Sequence, residues 1–293
     1  MQLFVNDLTV MDFSYLCPER GMVGESWIVD VILDGGLNEE SMVLDFSKVK
    51  KQLKRLIDEH VDHKLLIPAE HPYSQITHDS LTDQVWVDFN RPHGRSIHLY
   101  CPAEAYAFIY AEQISMDSVS CYLKEIIATH LPQNVEGLTL TLRCEEINEP
   151  YYHYTHGLKK HEGNCQRIAH GHRSRVKVFV DGTLDADAQQ YWSRRWRDIY
   201  IGTREDLASE SALHLSEMAK EKDLSSHCLF RYESSQGVFE LIIAETESDL
   251  VDTDSTVECL AQFMADELKS VQPEKSFMVQ AYEGVGKGAI ASA

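Results

Sequence analysis

The chain has 293 residues, a formal net charge of −20, 43% hydrophobic and 25% charged residues, which leaves room for one large or two medium domains with real cores. The acidic balance disfavours nucleic acid, since a binder needs clustered Lys and Arg to displace counterions from phosphates. No apolar run approaches the roughly 18–20 residues that cross a bilayer, and no basic-then-apolar leader opens the chain, so no membrane partner and a cytoplasmic location are expected.

In chain order, Gln2–Val10 and Glu25–Leu33 read as strands, with a break at Pro18-Glu-Arg-Gly21. Phe46, Val49, Leu53, Leu56 and Ile57 fall on one helical face, with Asp45 or Ser47 able to cap it and an end near Val61-Asp62-His63. Gln84–Asn90 and Arg95–Pro102 predict a hairpin around Arg91-Pro-His-Gly94. A second helix is expected after Asp117-Ser118, then a strand over Leu138–Cys144. The pattern then restarts: a strand over Val176–Val180, helix-prone stretches 185–197 and 204–221, and a hairpin of Cys228–Glu233 with Val238–Ala244. A helix opening at Asp254-Ser255 and a strand over Phe277–Tyr282 complete the series.

The ends of the two halves form a diverged repeat. Asp117-Ser-Val-Ser-Cys-Tyr-Leu123 matches Asp254-Ser-Thr-Val-Glu-Cys-Leu260, and at the same offset Leu140-Thr-Leu-Arg-Cys-Glu-Glu146 faces Phe277-Met-Val-Gln-Ala-Tyr-Glu283. The expectation is two α+β domains of one fold, residues 1–149 and 150–293, tightly joined because no Pro- or Ser-rich linker separates them.

The strongest chemical signal is His156-Gly-Leu-Lys-Lys-His-Glu-Gly-Asn-Cys165-Gln-Arg-Ile-Ala-His170-Gly-His172. On a strand, residues two apart share a face, so His170 and His172 can converge on one ion while Gly171 leaves room behind them. His156 on the preceding strand completes three neutral nitrogens with one open position, a common catalytic zinc arrangement. Thiol and imidazole suit zinc better than magnesium or calcium. Cys165 stands beside this set with Arg167, a setting that favours the thiolate. With the others at 17, 101, 121, 144, 228 and 259, the chain has seven scattered cysteines, an odd count that favours reduced thiols over a disulfide framework. In so acidic a chain an anionic ligand would need its own basic pocket, for which Arg167, Arg173, Arg175 and Lys177 are a candidate cluster.

The zinc stretch resembles the 6-pyruvoyltetrahydropterin synthase and 6-carboxytetrahydropterin synthase family, which shows a strand-borne His, then Cys, then His-Gly-His. Ser41-Met-Val-Leu-Asp45-Phe46-Ser-Lys-Val-Lys50 is similar to its helix-opening motif, and Val61-Asp62-His63-Lys64-Leu65 to its Asp-His motif. Ser255-Thr256-Val257-Glu258 resembles its Thr-containing helix start, and Tyr282-Glu283-Gly284 its terminal Glu. Together these span nearly the whole chain. The first half has Phe13-Ser-Tyr-Leu and Val23-Gly24-Glu25 where zinc histidines would stand, and so cannot build the metal site.

The resemblance implies tandem tunnelling-fold-like domains, antiparallel sheets with paired helices, assembling edge to edge into a barrel as a homo-oligomer. It implies a zinc-dependent carbon–oxygen lyase acting on a pterin triphosphate, 7,8-dihydroneopterin triphosphate. Zn2+ would be held by His156, His170 and His172. Cys165 would move a proton on one face of the substrate and His63, oriented by Asp62, on the other. Glu283 would accept hydrogen bonds from the pterin edge, assisted by Glu258 and Thr256. From the residues alone, Ser255-x-x-Glu258 is equally a capping box, and Asp62-His63 can simply close a helix. Whether Asp62-His63 serves its own chain or a neighbour stays open. Two departures bear on the product. Arg173-Ser174 follows His-Gly-His, and the gap between Cys165 and His170 lies between those of the two branches. The expected product is 6-carboxytetrahydropterin, with 6-pyruvoyltetrahydropterin second; a pterin-binding protein without turnover and a structural zinc module are the non-enzymatic alternatives.

Overall fold

The computed structural model describes all 293 residues. Strands β1 (Gln2–Cys17) and β2 (Gly21–Gly35) form a long antiparallel hairpin that turns at the marked break, where Gly21 takes a positive φ of 88°. Helix α1 (Phe46–His60) is capped by Asp45, whose carboxylate accepts from the Ser47 amide at 2.7 Å, and it buries Val49, Leu53, Leu56 and Ile57. Phe46, at the first helical position, is exposed instead. Strands β3 (Leu65–Pro68), β4 (Ser74–His78), β5 (Gln84–Phe89), β6 (Ile97–Pro102) and β7 (Tyr106–Ile109) follow, then α2 (Met116–Ala128) and β8 (Val135–Cys144). Helix α2 starts earlier than expected because Ser115 and Ser118 satisfy each other's backbone N–H reciprocally.

The second half repeats the plan: β9 (Tyr151–His156), β10 (His170–Val180), β11 (Thr183–Leu184), α3 (Ala186–Arg195), β12 (Ile199–Thr203), α4 (Glu217–Lys220), β13 (His227–Ser234), β14 (Gly237–Ala244), β15 (Ser248–Val251), α5 (Val257–Val271), β16 (Phe277–Tyr282) and β17 (Gly288–Ser292). The helix-prone reading of 204–221 is corrected. Apart from short turns and the four-residue α4, the segment is extended, because tertiary partners take its backbone: the Ala208 amide donates to Leu229 O and the His214 amide to the Glu240 carboxylate.

The strand orders show the repeat directly. One sheet runs β7-β3-β1-β2-β8, and the other runs β15-β12-β9-β10-β16-β17, so β1–β2 and β9–β10 are equivalent hairpins. Helices α1 and α2 cover the first sheet, with Phe13, Val29, Leu56 and Leu123 in its core. Helices α3 and α5 cover the second, around Tyr152, Trp192, Trp196 and Met264. The third sheet, β13-β14-β6-β5-β4, is assembled from both halves, with Leu241 of β14 opposite Leu99 of β6. Its core draws Leu16, Leu65 and Ile67 from one half and Ile168, Tyr200 and Phe230 from the other.

The two equivalent hairpins cross at glycines. Gly171 has the Gly24 Cα against it, and beside them the buried hydroxyls of Ser14 and Thr155 hydrogen bond at 2.7 Å. A methyl on Gly171 would stand 2.5 Å from Ser14 Oγ and 2.6 Å from the Gly24 Cα. Gly171 therefore does more than leave room behind two histidines; it lets one half touch the other. Gly171→Ala is expected to cost about 1–3 kcal/mol, read as a lower denaturant midpoint with an unchanged slope.

Candidate metal and catalytic site

The β9–β10 register sets His170 opposite His156 and His172 opposite Tyr154. All three imidazoles are essentially fully buried, with ligand nitrogens within 4.8 Å of one another. Two of the rings are fixed by backbone carbonyls. His156 Nδ1 lies 2.9 Å from Ser255 O and His170 Nδ1 3.0 Å from Arg167 O. Each Nδ1–H donating to its carbonyl leaves Nε2 as the lone-pair nitrogen. Burial holds both histidines well below the usual imidazole range, and their neighbours' positive potential adds to this. His156 Nε2 and His172 Nε2 are buried without a hydrogen-bond partner. Unsatisfied buried nitrogens on converging imidazoles are a costly arrangement without an ion between them. The donor set fits zinc.

The structure brings Asp62 and His63 to this site within the same chain. His63, Cys165 and His170 also have their ligand atoms within 4.8 Å of one another, and the His63 and His170 ring centroids are 5.0 Å apart. Two hydrogen bonds to the Asp12 backbone clamp the pair onto β1. The Asp12 amide donates to Asp62 Oδ1, and the His63 amide donates to Asp12 O, both at 2.8 Å. His63 adopts a left-handed φ of 55°, which turns the chain sharply between α1 and β3. Its Nδ1 is 2.6 Å from Asp62 Oδ2. Burial lowers the His63 pKa, but the Asp62 hydrogen bond and then Cys165 outweigh it and push it up to about 10. Cys165, on the short 3-10 turn Gly163–Gln166, is half-buried beside it. His63 and Cys165 thus lie close to each other and to His170, with Asp62 behind the His63 ring.

No spacing in the chain singles out Asp12, yet it belongs to this site. From the first half, its Oδ1 lies 3.2 Å from His172 Nδ1 and accepts from Ser26 Oγ, while Oδ2 lies 3.3 Å from Lys287 Nζ. Burial raises this carboxyl, but His172 and Lys287 outweigh it and hold it well below the usual range. Glu283, at the end of β16, places Oε1 3.8 Å from His172 Nε2. Thr256 caps α5 by accepting from the Cys259 amide at 3.3 Å. The capping box expected of Ser255 and Glu258 does not form: Ser255 is buried against His156, and Glu258 is solvent-exposed.

The equivalent place in the first half carries no metal set. In the matching register, Tyr15, Val23 and Glu25 stand where His156, His170 and His172 stand in the second half. Glu25 is buried 3.3 Å from His153, and burial pushes its carboxyl up to about 7 against the pull of Arg173 and Arg20. A carboxyl raised in the folded state favours folding fully below its unfolded value, and that contribution is lost as pH rises through about 7. Glu25→Gln is therefore expected to raise the melting temperature more at pH 8 than at pH 5, by thermal denaturation.

Two matches to the family model described as 6-pyruvoyl tetrahydropterin synthase cover residues 18–154 and 146–292. Among solved structures, a 6-pyruvoyl tetrahydropterin synthase from Plasmodium vivax is similar at 16% identity and a TM-score of 0.40, over 51% of this chain and 93% of that one. The corresponding Plasmodium falciparum structure is similar at 10% identity and a TM-score of 0.37, over 49% and 97%. No curated protein matches the chain.

Proposed function

We propose, for a chain that belongs to the 6-pyruvoyl tetrahydropterin synthase family as a tandem two-domain form, a zinc-dependent lyase converting 7,8-dihydroneopterin triphosphate to 6-carboxytetrahydropterin. The observation that carries this reading is His170, which belongs both to the His156–His170–His172 group and to the His63–Cys165–His170 group. A metal-binding set and a proton-moving set thereby share one wall.

Zinc held by the three histidines would polarise side-chain oxygens of the substrate and acidify adjacent C–H bonds. Cys165, with His63 next to it, is placed to act as a base toward the substrate. His63 returns or relays the proton, and Asp62 fixes its ring. Glu283 supplies two oxygens to the donor edge of the pterin, a planar match of the kind carboxylates make with guanidinium groups. Asp12 orients His172 from the other half. Thr256 and Glu258, at the start of α5 beside Ser255, take a secondary part in substrate binding. The open edges β7 and β8 leave strands for pairing with further copies in a homo-oligomer.

The test is incubation of zinc-loaded protein with 7,8-dihydroneopterin triphosphate, followed by mass spectrometry. 6-Carboxytetrahydropterin is the expected product. 6-Pyruvoyltetrahydropterin would reassign the branch, and bound but unconverted pterin would end the enzymatic reading.

A further inference from the structure

Beside the proton relay lie two buried cations. Lys64 follows His63 directly and is 5% exposed; Arg167 stands two residues after Cys165 and is also 5% exposed. Each comes from a different half. Arg167 Nη1 donates to His63 O at 3.4 Å, which places its guanidinium against the catalytic turn.

Their counter-charge is poor. Glu104 Oε2 is 3.3 Å from Lys64 Nζ and 4.0 Å from Arg167 Nη2, but its side chain is 73% exposed. Arg167 Nε is buried with no partner at all. Burial holds the Lys64 and Arg167 pKa values below their ordinary ranges, and for Lys64 the nearby guanidinium adds to this. Asp62 near Arg167 and Glu59 near Lys64 add favourable charge without reaching salt-bridge distance, so Glu104 is the only direct ion-pair partner of two buried like charges, which is expensive for a fold to keep. In a chain of net charge −20 they are also a local reversal of sign.

We infer that Lys64 and Arg167 form an oxyanion site for a phosphate chain, with Glu104 standing in at its rim until the anion arrives. Guanidinium plus ammonium is the donor set that phosphoryl oxygens select, and these donors lie next to the residues proposed to move protons. Naming the phosphorylated molecule as a pterin triphosphate rests on the function proposed above; the oxyanion chemistry does not.

The test titrates the purified full-length protein and its variants with inorganic tripolyphosphate by calorimetry, and with unphosphorylated neopterin in parallel. Lys64→Gln and Arg167→Gln should each weaken tripolyphosphate about tenfold or more, the loss of one charge-assisted contact. Glu104→Gln should tighten it, whereas a purely structural triad would lose its anchor and bind no better. Lys64→Arg and Arg167→Lys, which keep the charge and guard against misfolding, should stay within a few-fold. Neopterin affinity should not change in any variant. Chelation of bound zinc by tripolyphosphate is common to all these proteins, since all keep the three histidines, so only differences between them are read. Equal binding by wild type, Lys64→Gln and Arg167→Gln would overturn the inference. Weakened tripolyphosphate with no neopterin binding would keep the oxyanion site and reject the pterin reading.

Discussion

Alanine at His63 or at Cys165 is expected to lower turnover of dihydroneopterin triphosphate about 10²–10⁴-fold, the usual worth of a positioned acid or base, while zinc content stays unchanged. Both side chains have ligand atoms within 4.8 Å of His170's without belonging to the three-histidine set. The two effects should not add, because residues acting through one relay fail together. Asp62→Asn should fall short of His63→Ala, since it leaves the imidazole in place but removes the partner 2.6 Å from its Nδ1. Zinc analysis beside the kinetics decides the interpretation. Metal lost together with activity would show that Cys165 or His63 is a ligand, and the assignment of roles would be wrong.

The second large effect is expected at His170. It is the one residue common to both groups, and its Nδ1 is committed to the Arg167 carbonyl. His170→Ala should leave two histidines, too few to hold zinc through dialysis, and turnover should disappear with the metal. Stability should follow by mass action. Metal present at about a thousand times its Kd contributes about 4 kcal/mol, so a chelator should lower the melting temperature of the wild-type protein and leave His170→Ala unmoved. A chelator shift of equal size in both would place the bound metal elsewhere.

Several parts of this architecture are legible in the residues alone. Period-two spacing puts His170 and His172 on one face, and the strand register sets His156 opposite. The α1 stripe buries as its periodicity demands from Val49 to Ile57, while Phe46 at its start stays exposed. Other parts are not, for physical reasons. β3, β7, β12 and β15 have four or five residues each, too short for alternation to show. Residues 204–221 have helical propensity, yet bonds to β13 and β14 take their backbone, as tertiary contacts often do. Asp12 meets His172 and Lys287 only where the two halves come together, so no local spacing announces it. Asp62 and His63 were recognisable by resemblance, but their destination was not. The clamp between the Asp12 backbone and the α1–β3 turn is what delivers them to the metal face of their own chain.

That delivery is the central claim, and mixed assemblies test it most directly. His63→Ala carries an intact second half, and Cys165→Ala carries an intact first half. Co-expressed and co-purified as one assembly, the two variants should stay as inactive as either alone, because every chain still lacks one member of its own site. Recovery of turnover in the mixture, absent from both parents, would mean that Asp62 and His63 serve a neighbouring chain, and would contradict the single-chain site described here.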